Sequence, residues 1–105
     1  MKTPEECSGL DDVRCGIDAM DKAIMELFGR RLAYVLAASR FKPTLESIPA
    51  PERVAAMLPE RKHWAAACGL PPRFVDEVFL PVIHWYISEQ TSHWKRIHGL
   101  TEASE

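Results

Sequence analysis

The chain has 105 residues and a formal net charge of −2, with 13 Lys and Arg against 15 Asp and Glu. That length suits one domain with a modest core, and the missing basic excess excludes nucleic acid as the main partner while leaving room for a small anionic ligand. No window approaches the roughly 18 apolar residues of a membrane span, the opening MKTPEECSGLDD has no apolar signal core, and Cys7, Cys15 and Cys68 are too few for a disulfide scaffold, so the expected setting is reduced and cytoplasmic with no membrane partner.

A first helix is predicted from about residue 8 to residues 40–42. Ser8 and Asp11 form a capping-box-like pair, and Asp11 and Asp12 suit the positive end of the helix. Leu10, Val13, Ile17, Met20, Ile24 and Leu27 alternate spacings of three and four, which makes a heptad seam. The next positions in register are Arg31, Tyr34 and Ala38. Pro43 disfavours helical geometry at Lys42 and so sets the end.

PTLESIPAPE reads as a loop punctuated by Pro43, Pro49 and Pro51. A second helix is expected over 51–68 with Gly69 as its C-cap, and Pro59 should kink or divide it. GLPPRF breaks the chain again. A third helix over 72–98 would carry Val75, Phe79, Val82, Ile83, Tyr86, Ile87, Trp94 and Ile97 on its inner face, bent by Pro81. Residues 1–98 thus form one helical domain and residues 99–105 a frayed tail. The fold class is all-α, three helices per chain.

Length decides the assembly. At 1.5 Å per residue the first helix would be roughly 50 Å long. A compact monomer of this size has a diameter near about 35 Å. A helix apolar along such a length needs a second chain, so an intertwined helical homodimer is expected, its first helices packed together.

Arg31, Val35, Ala38 and Lys42, spaced four, three and four, share one helix face. Arg31 and Lys42 lie about 16 Å apart along the axis, so long side chains leaning together could grip the ends of a diacid over Val35 and Ala38. Arg14 is about 25 Å from Arg31 and could join only from an antiparallel partner helix. On the third helix Gln90 interrupts an apolar row, and a buried amide needs a hydrogen-bond partner, a ligand oxygen being one candidate. Each residue also has a structural reading. Arg31 could pair with Asp18, Asp21 or Glu26 of a partner chain, Arg14 could be a solvated helix residue, and Gln90 a core amide bonded to a neighbour.

No carboxylate and no nucleophile–base pair accompanies these groups, so the set could bind a dianion and stabilise shifting charge without supplying a proton or a covalent bond. His63 with Cys68, or His93 with His98, does not build a metal set, and no metal is expected. Trp64, Trp85 and Trp94 are most simply core or interface aromatics.

GRRLAYVLAASRFK, IPAPERVAAMLPER, IHWYISEQ and HWK, together with the MKTPEEC start, resemble the all-helical chorismate mutase family, most closely its salicylate-forming branch, over about residues 1–98. The resemblance implies an intertwined dimer with two shared active sites. It also implies a lyase reaction, isochorismate to salicylate and pyruvate, run as a pericyclic step with no cofactor, weak chorismate mutase side activity, and a place in siderophore synthesis. Arg14 of one chain with Arg31, Lys42 and Gln90 of the other match the family's anion-binding positions. Arg14 and Arg31 would take the carboxylates, Lys42 the ether oxygen and a carboxylate, and Gln90 the ether region. Val35, Ala38, Met57 and Ile87 would form apolar walls. One segment departs from the mutase pattern: PERVAAM is largely apolar after Arg53, which would fit a lyase with fewer charged contacts on the ring. The alternatives are a dedicated chorismate mutase making prephenate and a non-catalytic helical dimer acting as an interaction module.

Overall fold

The computed structural model describes residues 1–100, and every regular element among them is helical. The main helices are α1 (Leu10–Ala38), α2 (Pro51–Ala67) and α3 (Leu80–Ile97). Short 3-10 turns occupy Pro4–Glu6, Ser39–Phe41 and Leu45–Ser47, and a π-helical turn, Val75–Phe79, leads into α3. The part of the expected tail at 101–105 lies outside the described residues. No helix among those described is long and apolar enough to cross a membrane. The chain forms two units, the first Met1–Tyr34 and the second beginning at Val35.

In the first unit, α1 is anchored at its start by Asp12. Its Oδ2 accepts from the Ser8 amide at 3.0 Å, the Ser8 hydroxyl at 3.0 Å and Lys2 Nζ at 2.9 Å. This corrects the expected pairing of Ser8 with Asp11. The helix starts at Leu10, so Ser8 stands ahead of it, and the side chain it reaches is four residues on. A reciprocal capping box does form, but earlier, where the Thr3 amide donates to Glu6 Oε1 at 2.8 Å. Further along, Leu10, Val13, Ile17, Met20, Ile24 and Leu27 are each between 41% and 60% exposed. None of the 29 residues of α1 is buried.

The second unit holds the buried core: Ile48, Met57, Ala65, Val75, Ile83, Tyr86 and Trp94, with Ser39 and Gln90 as its polar members. Lys42 leaves the Ser39–Phe41 turn in extended geometry (φ −98°, ψ 112°), as a residue before proline should. The following stretch is tied into a turn by the Ser47 hydroxyl, which donates to the Thr44 carbonyl at 2.6 Å, and it buries Ile48. Ala50 enters α2 at φ 41°, a left-handed conformation that strains any residue with a Cβ.

Pro59 does not divide α2, which runs unbroken from Pro51 to Ala67. Pro81 acts differently. The wide turn at Val75–Phe79 immediately precedes it, closed by the Leu80 N–H on the Val75 carbonyl, so Pro81 falls in the first turn of α3, where a missing N–H is tolerated. Both α2 and α3 end in Schellman closures at glycines of positive φ. Leu70 N bonds Ala65 O at 2.8 Å around Gly69 (φ 80°), and Leu100 N bonds Lys95 O at 2.7 Å around Gly99 (φ 72°). Of the expected inner face of α3, Ile97 is instead exposed. It sits in the last turn, beyond Trp94, the final core residue.

The Ser8 amide first, then the Lys2 ammonium and the Ser8 hydroxyl, hold the Asp12 carboxyl below the usual aspartate range. The tether is therefore fully formed above the ordinary aspartate pKa and is lost as pH falls through the lowered value. Titration followed by NMR should show the Ser8 amide losing protection below the normal aspartate range, and Asp12→Ala should abolish that protection at neutral pH. A Ser8 amide that exchanges at the same rate in both proteins would contradict the tether.

Candidate active site

The end of α1 and the chain just beyond it are held by two donors from one face of α3. Gln90 and Trp94 are four residues apart, so their side chains lie one above the other. Gln90 Nε2 donates to the Val35 carbonyl at 2.8 Å, and Trp94 Nε1 donates to the Lys42 carbonyl at 2.8 Å. Between these two carbonyls the Ser39–Phe41 turn packs against α3. Ser39 is completely buried, and its hydroxyl has no hydrogen-bond partner among the described residues.

Lys42 is half-buried. Its Nζ donates to the Ser47 carbonyl at 3.1 Å, and it forms no ion pair among the described residues. An ammonium has three protons to donate, so one such bond leaves capacity for an anion. Gln90 is buried as its place in an apolar row implied, and one of its amide protons satisfies the backbone of α1. That bond matches the core-amide reading; the amide has a second proton and an acceptor oxygen for other partners. Met57 is buried, while Val35, Ala38 and Ile87 are half-buried.

These six positions, Val35, Ala38, Lys42, Met57, Ile87 and Gln90, belong to the second unit. Arg14 and Arg31 belong to the first, where Arg14 is exposed and Arg31 half-buried. They are 17 residues apart on α1, about 25 Å at helical rise, so one chain does not bring them together. Arg53, on the first turn of α2, is exposed.

Sequence reasoning placed Trp94 in the core but missed its bond to Lys42, and it missed Ser47 and Ser39. The i, i+4 relation of Trp94 to Gln90 was a usable signal that the two share a face. The acceptors on Val35, Lys42 and Ser47 were not, because a main-chain carbonyl is the same in every residue.

A half-buried ammonium and a buried amide within one unit are groups that can recognise a small anion. Residues 13–91 match the family chorismate mutase type II, and the chain belongs to that family. It is 56% identical over 99 residues to the isochorismate pyruvate lyase of Pseudomonas aeruginosa, a match covering 94% of this chain and 98% of that protein. It is also 34% identical over 90 residues to the T-protein of Enterobacter agglomerans, covering 84% of this chain but 24% of that longer protein.

A buried hydroxyl without a partner is a destabilising element, so Ser39→Ala should leave stability unchanged or raise it by up to about 1 kcal/mol. Urea denaturation measures this. A loss of more than about 1 kcal/mol would show that Ser39 makes a bond in solution.

Proposed function

We propose that this protein is an isochorismate pyruvate lyase that releases salicylate and pyruvate, with weak chorismate mutase activity as a side reaction. The observation that carries this is 56% identity over nearly the whole of both chains to the Pseudomonas aeruginosa enzyme of that name. Membership of the chorismate mutase type II family supports the side reaction.

The proposed reaction needs no group from the protein in its bonding changes. As the ether C–O bond breaks, a hydrogen on the neighbouring ring carbon moves to the enolpyruvyl methylene. The tail becomes the methyl ketone of pyruvate, and the ring becomes aromatic salicylate. Nothing is oxidised overall and no proton is lost to solvent. The protein holds the tail over the ring and stabilises charge that grows on the ether oxygen.

In this reading Lys42 turns its ammonium from the Ser47 carbonyl, or shares it, to meet the ether oxygen and a carboxylate. Gln90 faces the ether region, Arg14 and Arg31 take the carboxylates, and Val35, Ala38, Met57 and Ile87 form the apolar walls. Arg14 comes from a second chain. The support for that chain is α1 itself, whose half-exposed seam is the kind of surface a long antiparallel partner helix covers. The homodimer therefore has two sites, each shared between protomers. Three free cysteines support a reducing cytoplasmic setting, with the salicylate passing to siderophore synthesis.

Lys42→Ala should lower turnover by about 100-fold or more, the scale of removing one charge-stabilising donor. Lys42→Glu should abolish turnover while leaving helical content and dimer mass unchanged. Salicylate fluorescence reads the first effect, and circular dichroism with sedimentation the second. Normal salicylate release by Lys42→Ala would refute the role, and unfolding of Lys42→Glu would make Lys42 structural. A higher kcat/KM on chorismate than on isochorismate would replace the lyase with a dedicated mutase.

A further inference from the structure

We propose that Trp94 is a positioning residue for Lys42, anchoring the main chain from which the reactive ammonium is projected; this rests on the role given to Lys42 above. Lys42 stands where the chain has few bonds of its own. Helical geometry ends at the Ser39–Phe41 turn, Lys42 N reaches the Ser39 carbonyl at a long 3.3 Å, and Pro43 has no N–H to give. The Lys42 carbonyl therefore depends on a partner from elsewhere, and the Trp94 indole supplies it at 2.8 Å.

The donor is itself fixed. Trp94 is only 7% exposed, and the His98 ring stacks on it with centroids 3.8 Å apart and planes 21° from parallel. His98 Nδ1 lies 2.9 Å from the Trp94 carbonyl, and since a carbonyl can only accept, this nitrogen carries the proton. Ring stacking and this bond together hold indole and imidazole as one block at the end of α3. Trp64 and Trp85 differ, at 50% and 54% exposed. The anchor acts on the chemistry through leverage. A small rotation about the Lys42 backbone swings an ammonium several bonds away, and a misplacement of about 1 Å at a reacting centre can lower rate by about 100-fold.

The test combines Trp94→Phe, Lys42→Ala and the double variant. Trp94→Phe keeps an aromatic ring but removes the N–H together with the five-membered half of the indole. Its kcat should fall about 3- to 10-fold with KM nearly unchanged, the scale of one lost neutral hydrogen bond. In the Lys42→Ala background the same change should have no further effect on kcat, because Trp94 acts through Lys42. Amide exchange over residues 42–48 should quicken in Trp94→Phe. An unchanged kcat, or an undiminished loss on top of Lys42→Ala, overturns the proposal.

A measurement on the unaltered protein covers the case in which the variant folds poorly. The Trp94 indole proton should exchange far more slowly than those of Trp64 and Trp85, and equal rates in all three overturn the anchor. Exchange needs no turnover, so it decides the anchor separately from the reaction. Unaltered protein that makes no salicylate removes the functional reading, even where the indole proton is protected.

Discussion

The constraint on which the rest depends is that α1 has an apolar seam it does not bury. Six seam residues from Leu10 to Leu27 stay at least 41% exposed, and no residue of the helix is buried. Removing such surface from water contributes about 25 cal/mol per Å², so a seam of this length left wet is a large forgone stabilisation. The first unit secures its own start through Asp12, Ser8 and Lys2, which are surface bonds and no substitute for a core. In the proposed homodimer a second copy of the chain would supply what is missing, and the proposed sharing of the active site would follow from that same contact.

Within the second unit the physics is different. Two N–H donors on α3 capture two carbonyls, at Val35 and at Lys42, on either side of the turn that ends α1. Buried donors of this kind are expensive to leave unpaired, so the bonds fix the path of the chain strongly. They place Lys42 at a bend rather than inside a helix, with its ammonium on a neutral carbonyl of the neighbouring turn. A cation held this way keeps its charge available. A tight carboxylate partner would neutralise it before any substrate arrived.

Much of this was legible in the sequence. The seam spacing set α1, the prolines set the breaks, and Gly69 marked the end of α2, because each works through local geometry. How each proline would be accommodated is something the sequence does not display. α2 continues through Pro59, whereas a π-helical turn precedes Pro81. Asp11 was expected where Asp12 serves, since a one-residue shift in the helix start changes which side chain reaches Ser8. Gln90 could be picked out because an amide in an apolar row is conspicuous. Trp94 could be placed on the same face as Gln90, but its bond could not be foreseen, because in an apolar row an indole looks like any core residue and its partner is a carbonyl 52 positions away.

The most direct test of a site built by two chains is to mix two inactive variants. Arg14→Ala and Lys42→Ala, unfolded together and refolded at equal concentration, should give heterodimers in which one of the two sites combines an intact Arg14 with an intact Lys42. Random pairing then restores about a quarter of the native sites, and salicylate release should recover in that proportion. Activity in the mixture no greater than the average of the two variants alone would contradict a shared site.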